Sequence, residues 1–316
     1  MPRRYAPASG LVSPRFSGIR TFARLPHVRD LDGVDVAVIG VPFDTGVTYR
    51  IGARFGPAAV REMSAMLRAY NPALDVNVYD VLSVVDYGDL PVVPGYIEDS
   101  YARIEEGLLP VLEAGVIPIC IGGDHSISLA ELRAVAKKYG PVGFVQFDSH
   151  TDTWDEYFGR KYTHGTPFRR AVEEGLIDTA RAIQVGMRGS LYGPEDYDQS
   201  RALGFEVWPT DDVRRAGIPA VIEAIRRRLG DGPVFLSFDI DFVDPSFAPG
   251  TGTPEIGGFT SREAQEFVRG LAGVNLVAMD LVEVLPAHDP AGITALIAAN
   301  VIFEALSVIA LNRRSA

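Results

Sequence analysis

The chain contains a single cysteine, Cys120, among its 316 residues. No disulfide can therefore form within it, and a small fold held together by disulfides is excluded. The sequence also lacks G-x-G-x-x-G, P-loop and G-x-S-x-G motifs, which argues against dinucleotide-binding, nucleotide-binding and serine-hydrolase activities. Basic runs are missing too, since 41 acidic residues outnumber 30 basic ones and give a net charge of −11. A nucleic-acid partner is not expected.

Targeting signals and domain boundaries are equally scarce. We find no secretory leader pattern and no apolar span of about 20 residues, so we expect a cytoplasmic protein without a membrane partner. Residues 1–20 contain several Pro, Ser and Gly and are predicted to form an irregular N-terminal arm. No linker, repeat or shift in composition divides residues 21–316, which are predicted to form one domain.

What the sequence does contain is a series of apolar runs rich in Val and Ile. Their hydrophobicity is continuous, which is typical of strands buried on both faces, and amphipathic stretches at 97–115 and 219–230 predict crossover helices between them. The predicted fold is therefore α/β, with three αβα layers and a central, mostly parallel, eight-stranded sheet. The predicted strands lie within 34–44, 82–90, 116–125, 142–150, 182–189, 205–212, 233–241 and 276–284.

Polar residues fall where several of these runs stop. "GGDHS", "FDSHTDTWD", "FDID" and "DLVEV" each follow or end an apolar run. The carboxyl ends of parallel strands meet at one edge of a sheet, so we expect these side chains to converge there. Within "FDSHTDTWD", Asp148, His150 and Asp152 would project to one side if the chain stayed extended. Burying such groups unpaired would cost several kcal/mol each, so a compensating partner is implied.

That partner is predicted to be a pair of divalent cations. The candidate ligands carry four carboxylates and two imidazoles, so their charge of −4 balances two divalent ions. Oxygen-rich ligands without thiolate favour Mn²⁺, although Zn, Co or Ni remain open. Two such ions about 3.5 Å apart can make water nucleophilic at neutral pH. The six predicted ligands are His125, Asp148, His150, Asp152, Asp239 and Asp241.

The motifs resemble those of the ureohydrolase family, which includes arginase, agmatinase and guanidino-acid hydrolases. Its three signatures match "GGDHS" at 122–126, "FDSHTDTWD" at 147–155 and "SFDIDFVDPSFAPGTGTPEIGG" at 237–258. The resemblance implies one ion held by His125, Asp148, Asp152 and Asp239. It implies a second ion held by Asp148, His150, Asp239 and Asp241. Ser149 stands where the family usually has Ala, and its side chain is expected to point away from the metals.

Further roles follow from the same resemblance. His164, in "YTHGTPF", is expected to transfer a proton to the leaving amine, and Glu283, in "DLVEV", to hold the substrate guanidinium. Tyr157 and Arg188 are predicted to bind substrate. Family members commonly form trimers or hexamers, so a homo-oligomer is expected as well. A binding protein with this fold but no turnover is disfavoured, because all eight metal and catalytic positions are filled.

The protein residues that would bind the substrate end opposite the guanidinium leave two alternatives for the substrate. Agmatine ends in an ammonium and favours an acidic rim, for which Glu195, Asp196 and Asp198 are available. Guanidinobutyrate or guanidinopropionate ends in a carboxylate and favours a cation, for which Arg160, Lys161, Arg169 and Arg170 are available beside Tyr157. We predict hydrolysis of agmatine to urea and putrescine, with guanidino-acid hydrolysis as the alternative.

Overall fold

A computed structural model describes residues 5–315 and shows a central sheet of eight parallel strands. The strand order is β4-β1-β5-β10-β9-β6-β7-β8. Each predicted strand is present, so the predicted fold class is confirmed. The eight strands are β1 (Val36–Val41), β4 (Val84–Asp89), β5 (Ile117–Gly122), β6 (Val142–Phe147), β7 (Ile177–Met187), β8 (Glu206–Pro209), β9 (Val234–Asp239) and β10 (Leu276–Val282).

A small antiparallel hairpin, β2 (Tyr70–Asn71) and β3 (Val76–Asn77), was not predicted. Each of its strands has only two residues, too few to show a hydrophobic period. The predicted crossover helices correspond to α3 and α8. The described helices are α1 (Gly56–Ser64), α2 (Val78–Val81), α3 (Ile97–Glu113), α4 (Ser128–Tyr139), α5 (Pro167–Glu173), α6 (Asp196–Ala202), α7 (Thr210–Ala216), α8 (Ile218–Leu229), α9 (Ser261–Arg269) and α10 (Ile293–Ser315).

Helices cover both faces of the sheet, and successive strand residues enter different cores. In β1, Val36 and Val38 belong to a core shared with α1, α8, α9 and α10, whereas Ala37 and Ile39 belong to one shared with α3, α4 and α5. Strand side chains alternate between faces, so a strand covered on both sides must be apolar throughout. This geometry explains the continuous hydrophobic runs of the sequence.

Helix α10 corrects one sequence-based expectation, because it is an apolar span that we did not recognise. The segment Ile293–Arg314 is long and apolar enough to cross a membrane, with a mean hydropathy of 2.1 in its apolar stretch. That stretch is 83% buried inside the protein. The helix packs in the core with α1 and α9. Its composition is therefore accounted for by burial within the fold.

The N-terminal arm lies along the body of the protein. Residues 5–20 form turns and irregular backbone, and Arg20 Nε lies 2.5 Å from Glu62 Oε2 on α1. Residues 1–4 of the predicted arm are outside the described part of the chain. The division into arm and domain, the oligomeric state and the cellular location stay predictions.

The sheet order places the predicted site at its centre. Strands β5, β10, β9 and β6 are consecutive neighbours, and all of them are parallel. Their carboxyl ends at Gly122, Val282, Asp239 and Phe147 therefore lie side by side. The four polar motifs follow these ends, as predicted.

Candidate metal centre

The first candidate ligands lie in short turns at the strand ends. After β5, Asp124 caps a helical turn by accepting a hydrogen bond from Ser126 N at 3.0 Å, and His125 begins that turn. After β9, Asp239 Oδ1 accepts from Asp241 N at 2.8 Å, which opens a similar turn. These caps satisfy backbone donors that would otherwise be buried without partners. Each turn points its ligand side chains away from the sheet's end into the same space.

The first group of ligands surrounds the imidazole of His125. Its Nδ1 lies 2.8 Å from Asp152 Oδ2 and 3.2 Å from one oxygen each of Asp148 and Asp239. The His125 and Asp148 side chains are fully buried. His125, Asp148 and Asp239 are close enough together to share one metal ion.

The second group lies on the other side of Asp148. His150 Nδ1 is 3.1 Å from Asp241 Oδ2 and 3.6 Å from Asp148 Oδ1. Asp148, His150 and Asp241 can also share one ion. Asp148 thus turns one oxygen toward each group, the arrangement that a bridging carboxylate requires. Asp239 was predicted to be a second bridging carboxylate, but it belongs only to the group that contains His125.

Buried atoms without partners show that the site fits metal ions. His125 Nδ1 and Asp241 Oδ2 are buried and make no hydrogen bond, although acceptors or donors lie nearby. Burial, together with the charges of Asp241 and Asp148, raises the pKa of Asp239 well above its usual value. A divalent cation would offset this repulsion and accept the free lone pairs. The donor set of carboxylate oxygens and imidazole nitrogens suits such an ion.

The convergence of Asp148, His150 and Asp152 is real, but its predicted cause was wrong. Strand β6 ends at Phe147, and the following residues bend instead of remaining extended. Asp152 has a positive φ of 51°, in the left-handed region that non-glycine residues rarely adopt. The turn, and not strand alternation, brings Asp152 to His125. Ser149 also differs from expectation, because its Oγ lies 3.1 Å from His150 Nδ1.

Two residues that hydrogen-bond behind His125 were not predicted from the sequence. His125 Nε2 lies 2.8 Å from Ser237 Oγ, which in turn donates to Asp280 Oδ1 at 2.8 Å. Donation from Nε2 leaves the Nδ1 lone pair free for an ion. The available signal was an aspartate inside the apolar β10 run, where an unpaired carboxylate would be costly.

His164 and Glu283 meet beside the ligands. Glu283 Oε1 lies 2.9 Å from His164 Nδ1 and accepts a hydrogen bond from His125 N at 3.0 Å. Burial opposes a charge on His164, but the hydrogen bond and charge of Glu283 outweigh it and raise its pKa. Glu283 Oε2 is buried without a partner, and the residue has a positive φ of 63°. Such backbone strain is common at functional sites.

A cavity of about 560 Å³ opens above these residues. Its lining includes His150, Asp152, His164 and Asp239, together with the predicted substrate residue Tyr157. The remaining lining residues are Thr48, Tyr49, Arg50, Trp154, Gly165, Ser190, Leu191, Tyr192, Thr253, Pro254 and Glu255.

Comparison with known proteins identifies the family. The arginase family sequence model matches residues 34–307. A guanidinopropionase from Pseudomonas aeruginosa is 48% identical, with 94% of this chain and 93% of the relative covered. A mitochondrial agmatinase from Gallus gallus is 46% identical, with 96% and 89% covered. The solved structure of proclavaminate amidino hydrolase from Streptomyces clavuligerus superposes with a TM-score of 0.91. The two sequences are 40% identical, and the match covers 95% of this chain and 100% of that protein.

The chain belongs to the arginase family. It is a hydrolase, an amidinohydrolase that acts on guanidino compounds. The enzymes of this family depend on a binuclear metal centre, and the two groups of His and Asp side chains are able to bind metal.

The substrate-binding prediction for Arg188 is not supported by the geometry of this amidinohydrolase. Arg188 Nη2 donates to Asp241 O at 2.6 Å and Glu255 O at 2.8 Å, and Nη1 reaches Gly186 O at 3.3 Å. Its guanidinium therefore fixes the backbone behind a ligand. Among the described residues, Arg188 is not part of the cavity lining.

The charged residues that we expected at the rim of the substrate site do not line the cavity. Asp196 accepts from Tyr192 N at 3.0 Å, and Asp198 is an exposed partner of Arg201. Arg170 is buried against Asp155. Apart from the candidate ligands and His164, the charged side chains in the cavity lining are Arg50 and Glu255. Arg50 lies outside the three signatures and Glu255 lies within the third, at 237–258, but the motif alone does not show that Glu255 lines the cavity.

Metal binding should also be visible in the stability of this amidinohydrolase. We expect Mn²⁺ added to metal-free protein to raise Tm, because the ions bind the folded site and not the unfolded chain. At about 100 times Kd each independent site adds about 2.7 kcal/mol. Differential scanning calorimetry measures the shift. The Asp239→Asn protein should show a smaller one, and an equal shift in both proteins would place the ions elsewhere.

Proposed function

We propose that the protein hydrolyses short guanidino acids, such as guanidinopropionate or guanidinobutyrate, to urea and an amino acid, with two Mn²⁺ ions as cofactor. The observation that carries this proposal is the chemistry of the cavity lining other than the candidate metal ligands. That part of the lining offers a cation and several hydroxyl donors, which suit a substrate carboxylate. The acidic residues that we expected to attract an ammonium do not line the cavity.

Two tyrosines supply part of this donor surface. The rings of Tyr157 and Tyr192 lie 6.1 Å apart, and Trp154 packs at 5.8 Å from Tyr157. Burial, together with Tyr192, raises the pKa of Tyr157, so its phenol stays neutral at physiological pH. A neutral phenol can donate a hydrogen bond to a carboxylate, and the rings confine a short aliphatic chain.

Arg50 supplies the positive charge. Among the described residues its guanidinium makes a single long hydrogen bond, 3.4 Å to Thr251 O, and no ion pair. It also lies over the Tyr49 ring, with 5.4 Å between the guanidinium carbon and the ring centroid. Its donors are therefore largely free to bind a carboxylate in the cavity. A guanidinium matches a carboxylate well because it donates two parallel hydrogen bonds.

The reacting end of the substrate would be placed by Glu283 and His164. Metal ions bound by the two ligand groups would supply a nucleophilic water at neutral pH. Glu283 is buried and lies outside the described cavity lining, but its Oε2 has no partner, and a substrate guanidinium that reaches this atom would be held with its carbon over the ligands. When the carbon–nitrogen bond to the chain breaks, the leaving amine needs a proton. His164 lines the cavity and can donate it.

Agmatine is the second candidate because Glu255 also lines the cavity. Its half-buried carboxylate has no ion pair among the described residues, so it could balance the charge of an ammonium. Arg50 therefore favours a substrate that ends in a carboxylate, whereas Glu255 favours one that ends in an ammonium.

The deciding experiment measures urea release from guanidinopropionate, guanidinobutyrate, agmatine and arginine by the Mn²⁺-loaded enzyme. We expect kcat/KM for a guanidino acid to exceed that for agmatine by at least about tenfold, a transition-state preference of about 1.4 kcal/mol. A preference for agmatine of the same size would overturn the proposal in favour of the Glu255 alternative.

Matched variants locate the specificity. We expect Tyr157→Phe and Arg50→Gln to raise KM for the guanidino acid by about tenfold, because each removes a donor to the carboxylate. Glu255→Gln should leave that KM unchanged or lower it, since a like charge is removed. If Glu255→Gln is the variant that weakens binding of the preferred substrate, the assignment of the cavity lining is wrong.

A further inference from the structure

Residues 44–52 form a loop that joins the end of β1 to the cavity; we call it the 44–52 loop. Its base is closed by the buried Asp44, which accepts hydrogen bonds from Gly52 N at 2.8 Å and Arg54 Nε at 2.5 Å. Nearer its centre, Gly46 N donates to Asp124 Oδ2 at 2.8 Å. Two buried carboxylates thus fix the loop, although neither is among the candidate metal ligands.

The same loop forms hydrogen bonds with both the backbone and the ring of His164. His164 N donates to Gly46 O at 2.9 Å, and Thr48 N donates to His164 Nε2 at 3.1 Å. Thr48 Oγ1 also lies 2.8 Å from Nε2. The loop also lies close to the turn after β5, because a Cβ added to Gly46 would lie 2.9 Å from Ser126 Oγ.

These contacts define the hydrogen-bonding state of the ring. Since Thr48 N–H donates to Nε2, the neutral ring carries its proton on Nδ1 and donates it to Glu283 Oε1 at 2.9 Å. A backbone N–H cannot serve a protonated Nε2, because two donors would face each other. The Thr48 hydroxyl can, because it donates to a bare nitrogen and accepts from a protonated one.

From this geometry we infer that Thr48 is a positioning residue that orients His164 in both of its protonation states. This inference rests on the proposed function for the proton transfer by His164, but not on which guanidino substrate is used. Thr48 acts through His164 at its Nε2 edge, whereas Glu283 holds the Nδ1 edge. The proton for the leaving amine then comes from Nε2, which Thr48 Oγ1 holds in place at the cavity until the amine takes over that hydrogen bond.

The test uses Thr48→Val, which removes the hydroxyl, keeps the backbone N–H and changes the side-chain volume little. We expect kcat to fall about tenfold with KM changed less than about twofold, because proton transfer is misaligned while substrate contacts remain. Thr48→Ser restores the hydroxyl and should return kcat to within about twofold of the wild-type value. Each rate is measured with whichever guanidino substrate the wild type turns over fastest.

A matched control comes from the same loop. Thr45 is exposed, lies outside the cavity lining, and its Oγ1 accepts from Gly95 N at 3.1 Å. The Thr45→Val enzyme should keep the wild-type kcat and KM. If it loses as much activity as Thr48→Val, the effect comes from the loop as a whole and the inference fails.

A second measurement needs neither metal nor substrate. The chain has five histidines, so ¹⁵N spectra of histidine-labelled protein can be assigned by substitution. We expect the Nε2 resonance of His164 to shift in Thr48→Val and to stay at its wild-type position in Thr45→Val and Thr48→Ser. If the guanidino-acid proposal fails, this shift is still expected. An unchanged His164 resonance in Thr48→Val, or wild-type kcat in that variant, would overturn the inference. Should Thr48→Val not fold, Thr48→Ala provides the same comparison.

Discussion

Replacing Asp239 with Asn is expected to remove at least one metal ion and to lower kcat/KM for urea release by more than about 10²-fold. Asp239 is buried, lies 3.2 Å from His125 Nδ1 and lines the cavity. An amide has nearly the same shape as the carboxylate, so the fold should persist. It lacks the negative charge that a divalent cation requires at this position.

Metal analysis of the purified Asp239→Asn protein, together with its steady-state kinetics, checks this prediction. Asp155→Asn provides a control, because Asp155 is exposed, pairs with Arg170 and belongs to the same motif as three of the candidate ligands. That variant should retain both ions. Normal turnover and two bound ions in Asp239→Asn would show that Asp239 is not a ligand.

Replacing His164 with Ala is expected to lower kcat by about 10²- to 10⁴-fold while both ions remain bound. His164 bonds to Glu283 and Thr48 and not to the candidate ligands, so its loss should affect proton transfer and not the metals. The pKa of His164 is raised, so the protonated form that serves the leaving amine persists to higher pH than in a free imidazole.

The control for this variant is His27→Ala. His27 Nδ1 lies 3.1 Å from Asp86 O, and the residue is not part of the described cavity lining. Inductively coupled plasma mass spectrometry counts the ions in both variants. If His164→Ala loses metal, or if it turns over at the wild-type rate, His164 does not have the assigned role.

Much of the fold was predictable because one physical constraint repeats along the chain. A parallel strand between two helical layers must be apolar on both faces, so β1 or β9 can be recognised from its residues alone. The convergence of the ligands followed from the same constraint, since parallel strands end at a common edge. The two-residue strands β2 and β3 offered no comparable signal, whereas the apolar span of α10 was present in the sequence and was not recognised.

The site was predictable where motifs adjoin strands and unpredictable where loops fold over them. Asp239 is the last residue of β9 and His125 lies in the turn after β5, whereas Thr48, Arg50 and Glu255 lie in loops that have no hydrophobic period. Charge alone was misleading for Arg188 and Asp196. Both are buried and bind backbone groups, and an isolated sequence does not show whether a charged side chain faces a ligand or the chain itself.

The most direct test of the two-metal centre is a titration of metal-free protein with Mn²⁺ while urea release is measured. The geometry shows two ligand groups that share Asp148, so the rate should rise until two equivalents per chain are bound and then remain constant. The Asp239→Asn protein should not reach this plateau. Full activity at one equivalent, or urea release without any divalent ion, would contradict the assignment of these side chains to a binuclear centre.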